Sequence, residues 1–206
     1  MTALDRLAVE ALTLQRGART LLGGLTFSAA AGEAVAITGA NGAGKTSLLR
    51  AVAGLVRPRS GQIRFIGPDG ALDADAARRD QCHLIGHHDG LAVGRTVREE
   101  LTFAVRWTGG DAAAAIDGAR RLGLERVLDL PVRHLSAGQR RRVVLIRLIA
   151  APRRLWLLDE PLTPLDAASR ALFGEVMSAH LADGGIVVAA IHDPLPISAR
   201  AVTISE

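Results

Sequence analysis

At 206 residues and 49% hydrophobic, the chain has enough for one domain, or for one domain with a subdomain. Its net charge of +4 comes with 3% aromatics and no tyrosine, so it lacks the stacking platforms of single-strand binders and no nucleic-acid partner is expected; a solvated arginine-rich surface or proximity to a membrane fits better. One cysteine excludes an internal disulfide, the N-terminus has no signal-peptide order, and no run reaches the roughly 20 apolar residues of a membrane span, which predicts a soluble cytoplasmic chain.

Residues 7–14 and 25–28 alternate apolar and polar side chains and predict short strands, with Arg16-Gly17-Ala18-Arg19 as the turn between them. A buried strand over 34–38 then feeds Gly39-Ala40-Asn41-Gly42-Ala43-Gly44-Lys45-Thr46-Ser47, and an apolar-periodic stretch follows. That is G-x-x-x-x-G-K-[ST] between strand and helix, the setting a phosphate loop needs. Glycines let the backbone N–H groups turn inward onto phosphate oxygens, and the helix start near Lys45 adds a positive dipole end. Lys45 supplies a point charge to the β- and γ-phosphates, and the Thr46 hydroxyl suits Mg²⁺. Lys45 is also the only lysine among 25 basic residues. An arginine fork does not replace a compact ammonium in such a loop.

The helix is expected to stop at Gly54, ahead of Pro58. Residues 62–66 predict a strand and 67–70 a turn. Residues 71–95 read as irregular; Cys82, His83, His87 and His88 fall there, in a spacing that matches no closed zinc pattern. Residues 96–135 read as helical. Thr96 and Glu99 form a capping box before an apolar-periodic run through Trp107, and Asp111 caps a second helix running to Gly123. This block lies between strands, so a helical subdomain over about 90–150 is predicted within an α/β core.

Ser136 and Gln139 make another capping box, and a helix opened by Ser and Gly is an anion site. Arg140, Arg141 and Arg142 behind it read as a solvated basic face. Residues 155–160, LWLLDE, predict a buried parallel strand with two carboxylates at its ligand-binding end. Asp159 is positioned to hold Mg²⁺ through water, and Glu160 to polarise an attacking water. A helix over 167–182, a strand over 186–191 and a closing strand over 201–204 complete the chain, with His192 at a strand end within reach of a γ-phosphate.

Lys45, Ser136, Asp159–Glu160 and His192 together resemble the nucleotide-binding subunit of ABC transporters, over essentially all of residues 1–206 as one ATP-binding domain. LSAGQ at 135–139 looks like the signature motif, LWLLDE like Walker B, Leu165–Asp166 like the D-loop and His192 like the switch histidine. The resemblance implies an α/β fold of the P-loop NTPase, ABC ATPase type: a mixed or parallel sheet core, an N-terminal antiparallel β piece and an inserted helical subdomain. It implies ATP and Mg²⁺ as cofactors and a head-to-tail homodimer. Each ATP would be held by Lys45 and Thr46 of one subunit and by Ser136 and Gly138 of the other, with Gln139 in the same motif.

Two positions depart from the family pattern. Arg16 stands where an aromatic usually stacks on adenine, and His88 stands where a glutamine usually joins Mg²⁺ to the subdomain. The stretches IGHHDG, LSAGQRRRV and GGIVVAAIHDPL look most like the ATP-binding subunits of bacterial cytochrome c maturation. That likeness implies a peripheral subunit on the cytoplasmic face of the inner membrane. Its partners would be a CcmB-like integral permease subunit, other maturation components in the membrane and a periplasmic haem chaperone. The alternative is the ATPase subunit of an ABC transporter for a different small solute.

Overall fold

The N-terminal alternation folds into a long antiparallel hairpin, β1 (Arg6–Arg16) with β2 (Arg19–Ala30). Both strands outrun the sequence pattern, β1 by one or two residues at each end and β2 mainly at its start, and a bulge falls inside β1. Ala11 sits at φ 46° and the pairing shifts between Val9 and Leu12. Leu7 and Val9 before the bulge, and Leu12 and Leu14 after it, therefore all face the core. This computed structural model describes residues 4–204; the ends of the 1–206 reading, residues 1–3 and 205–206, lie outside them.

Next come β3 (Ala34–Gly39), α1 (Lys45–Val52), β4 (Ser60–Gly67) and the two-residue β5 (Gly70–Ala71). β4 pairs with β1, giving an antiparallel sheet of order β2-β1-β4-β5. Residues 71–95 are more regular than their sequence suggests. They contain α2 (Ala74–Gln81), capped by Asp73 accepting from the Ala76 N–H at 2.8 Å, and β6 (Cys82–Ile85). A second sheet, wholly parallel, runs β6, β7 (Leu155–Asp159), β8 (Ile186–Ala190), β3 and β9 (Arg200–Ile204). β7 and β8 are buried along their full length, which is why they read as unbroken apolar runs. One apolar core joins both sheets with α1, including Val9, Val35, Leu48, Leu49, Phe65 and Leu157. Each fully buried side chain of this size contributes about 1.5–3 kcal/mol.

The chain divides into two compact units. The first holds both sheets: residues up to 86, Arg153–Pro161 and the residues from 177 onward. The second holds His87–Pro152 and also Leu162–Val176. Its helices are α3 (Val97–Thr108), α4 (Ala112–Arg121), α5 (Ala137–Ala150) and the first part of α6 (Ala167–Ala182). The Thr96–Glu99 capping box and the Asp111 cap both form. Val97, Leu101, Ala104 and Val105 are the buried apolar side of α3, whereas Trp107 at its end is 84% exposed. Glu100, buried on the same helix, accepts from Arg147 at 3.2 Å and from Arg95 at 3.4 Å, so its charge is twice compensated. Among the described residues no helix is long and apolar enough to cross a membrane.

In the first unit, Trp156 of β7 stacks on His180 near the end of α6, with ring centroids 3.7 Å apart and planes 6° from parallel. Burial pushes the imidazole down to about 4, against an opposing pull from the backbone of Ile186 and Arg154. The folded chain thus keeps His180 neutral while the unfolded chain takes up a proton near pH 6.5. The stabilisation is complete above that pH and fades as pH falls towards 4. At its fullest the loss is about 3 kcal/mol. Melting temperature followed down to pH 4 should fall less steeply for His180→Phe than for the wild type. Equal slopes would remove His180 as the cause.

Candidate functional site

β3, β7 and β8 are parallel, so their C-terminal ends open at one edge of the sheet, where α/β folds bind ligands. A cavity of about 200 Å³ lies there, formed by residues of the first unit. The β3–α1 loop supplies Asn41, Gly42, Gly44, Lys45, Thr46 and Ser47 to its lining. Gly42 and Gly44 adopt φ of 83° and 100°, values that turn N–H groups to one side and that side chains resist. Gly39, Ala40 and Ala43 shape the loop without lining the cavity. A methyl added at Gly39 would lie 2.6 Å from the Ile204 carbonyl oxygen, so β9 closes tightly on the loop entry. The Lys45 ammonium is buried and donates to the carbonyls of Gly39 at 2.7 Å and Ala40 at 3.2 Å, which holds it against the loop.

The acidic side follows from strand order. Thr46 Oγ1 donates to Asp159 Oδ2 at 2.9 Å and Oδ1 at 3.1 Å, and Asp159 is buried at the end of β7. Glu160 then leaves the strand at φ 47° while its N–H donates to the Ala190 carbonyl at 2.9 Å. A left-handed conformation in a glutamate costs about 1–3 kcal/mol and persists only where the surroundings impose it. Here the turn directs Glu160 into the cavity, where the His192 Nε2 lies 3.2 Å from its Oε1. Asp159 pairs with Ala190 in the sheet, so the two strand ends are adjacent and the carboxylate and imidazole meet. Arg16 and Leu21, one at the end of β1 and one in β2, complete the wall. Leu21 carries no sequence signal; it reaches the cavity because the hairpin packs on the loop, with Leu22 and Leu21 side-chain atoms 3.2 and 3.3 Å from where a Gly44 methyl would stand.

The remaining motif residues lie in the second unit. The Ser136 hydroxyl accepts from the Gln139 N–H at 3.1 Å, and Gln139 Oε1 accepts from the Ser136 N–H at 2.9 Å, starting α5. Gly138 is required by a close approach, since a methyl there would sit 2.9 Å from the Pro164 carbonyl oxygen. Asp166 accepts from the Ser169 N–H at 2.8 Å at the start of α6; that bond holds its carboxyl below the usual range, with Arg142 helping. The three arginines after Gln139 are not a solvated face. Arg140 donates to the Leu135 carbonyl at 2.6 Å and Arg142 to the Leu122 carbonyl at 2.8 Å, while Arg141 is 2% exposed and 3.6 Å from Asp89. Charge runs pattern alike whether they meet water or internal carbonyls, so the sequence does not separate the two. His88 is not among the cavity's lining residues; its ring meets that of His87 edge-on at 5.4 Å.

A family model described as ABC transporter matches residues 22–163. The chain belongs to the ABC transporter family. This ABC transporter chain is an ATP-hydrolysing subunit. It is 45% identical over 199 residues to the cytochrome c biogenesis ATP-binding export protein CcmA of Rhodopseudomonas palustris strain HaA2, covering 97% of this chain and 98% of the relative. It is 46% identical to the protein of the same name from Nitrobacter winogradskyi, with the same coverage. A solved ATP-binding subunit of an ABC transporter superposes with a TM-score of 0.78 at 30% identity, over 89% of this chain and 78% of that one. The ABC transporter fold recurs in a bacterial Atm1-family ABC exporter at TM-score 0.84 and 20% identity, covering all of this chain and 38% of the exporter.

Proposed function

We propose that the chain is the ATP-driven subunit of a membrane complex in c-type cytochrome maturation, acting at the cytoplasmic face of the inner membrane. The observation that carries this reading is end-to-end similarity, at 45–46% identity, to proteins that bear that name. In this reading the Gly42–Gly44 backbone and Lys45 grip the β- and γ-phosphates, with Gly39, Ala40, Asn41, Ala43 and Ser47 forming the rest of the cradle. Thr46 Oγ1 and the Asp159 carboxylate are hard oxygen donors 2.9 Å apart on the cavity wall, a set that suits Mg²⁺. When bound, Mg²⁺ would neutralise phosphate charge. Glu160 accepts a proton from the attacking water, and His192 steadies both Glu160 and the γ-phosphate.

The same reading has two copies closing head to tail, each Ser136 and Gly138 meeting the other's ATP and each Asp166 lying at the shared interface. Helix α5 starts at Ser136, and such a start favours anions. Val93, Phe103, Trp107 and Leu130 are exposed apolar side chains of the second unit and suit a CcmB-like permease docked there. ATP use would then drive release of a haem-loaded chaperone. His88 would link the nucleotide to that subunit in place of an amide.

The test is a haem stain of c-type cytochromes in the native cell carrying Lys45→Ala. Covalently haem-bearing cytochromes should disappear while b-type haem persists. Their survival would assign the chain to an ABC transporter for another solute.

A further inference from the structure

The nucleotide cavity has one wall that phosphate chemistry does not explain. The loop residues, Asp159, Glu160 and His192 all suit a triphosphate and its attacking water. Only Arg16 and Leu21, both from the β1–β2 hairpin, remain for a nucleoside. Among the described residues no phenylalanine or tryptophan lines the cavity, and the chain has no tyrosine. Leu21 is half-buried against the phosphate loop and offers an apolar edge. Arg16 is exposed, and its guanidinium has no hydrogen bond or ion pair among the described residues.

We propose that Arg16 reads the purine edge, and that the site takes guanosine triphosphate at least as readily as adenosine triphosphate. This rests on the nucleotide-hydrolysis reading of the same cavity. A guanidinium carries only donors. Guanine presents two neighbouring acceptors, N7 and O6, which a guanidinium meets with two parallel bonds. Adenine sets an amino group beside N7, so donor faces donor and one bond is lost. Stacking does not restore a preference for adenine, because a flat guanidinium or a leucine edge meets any purine face. Glutamine, with one donor and one acceptor, matches the adenine N6 and N7 instead.

The experiment is calorimetric binding of AMP-PNP and GMP-PNP, each with Mg²⁺, to the full chain and to Arg16→Gln. In the wild type GMP-PNP should bind as tightly as AMP-PNP or up to about tenfold tighter, and Arg16→Gln should move the Kd ratio towards adenine by roughly tenfold. A wild type that favours AMP-PNP by more than about twofold overturns the proposal, because edge reading by donors alone would not produce it. A ratio unchanged in a folded Arg16→Gln chain also overturns it. If neither analogue binds, the nucleotide reading of the cavity fails and carries the proposal down with it, a result distinct from tight binding with adenine preferred.

Discussion

Glu160→Gln should reduce ATP turnover by at least about a hundredfold while nucleotide affinity changes less than about threefold. The substitution keeps shape and hydrogen bonding: glutamine Oε1 still accepts from His192, which lies 3.2 Å away. It removes the basic lone pair that a carboxylate offers to an attacking water. Affinity is spared because binding rests on the loop N–H groups and on Lys45, which the Gly39 and Ala40 carbonyls hold in place. The left-handed backbone at Glu160 is imposed by the turn after β7 and by the bond to Ala190, so the amide should take the same place. With hydrolysis blocked, ATP should hold the chain as a dimer of twice its 21.6 kDa mass in light scattering. Turnover at the wild-type rate would remove Glu160 from the chemistry.

What the sequence disclosed depended on how local each signal was. The phosphate loop, the Thr96 and Ser136 capping boxes and the apolar runs of β7 and β8 are each written within about ten neighbouring residues, and all of them form. α2 was not legible, because only Ala77 and Gln81 of its eight residues are buried and it has almost no apolar stripe. Its Asp73 cap was the one available clue. β6 is four residues long with a histidine inside, too short for an alternation to stand out. β1 was legible over 7–14, across the Ala11 bulge, whereas the first half of β2 was hidden by Gly23 and Gly24, which have no side chains to alternate. In the cavity, Lys45, Asp159, Glu160 and His192 follow from their motifs, whereas Leu21 is an ordinary strand leucine brought in by tertiary packing. Arg140–Arg142 patterned as a surface and turned inward, since a helix face does not announce which carbonyls it will meet.

A variant carrying Asn41→Cys and Ser136→Cys should convert largely to a covalent dimer when oxidised with ATP and Mg²⁺, and should remain monomeric without nucleotide. Asn41 lines the nucleotide cavity and Ser136 opens α5; both are exposed, so both new thiols are reachable. If closure brings the signature helix of one copy over the phosphate loop of the other, the two Cα atoms approach within the roughly 7 Å that a disulfide spans. The head-to-tail arrangement repeats the bond at both sites, so a closed dimer is linked twice. A bond within one chain would leave the mass unchanged, which separates the two geometries on a non-reducing gel. The native thiol does not interfere. Burial pushes Cys82 up to about 12, so its reactive thiolate is scarce at neutral pH. Losing the Ser136 cap costs about 1 kcal/mol, small enough for α5 to persist. Monomer that persists with ATP, while a small maleimide still labels both new cysteines, would show that Ser136 does not meet the other copy's nucleotide.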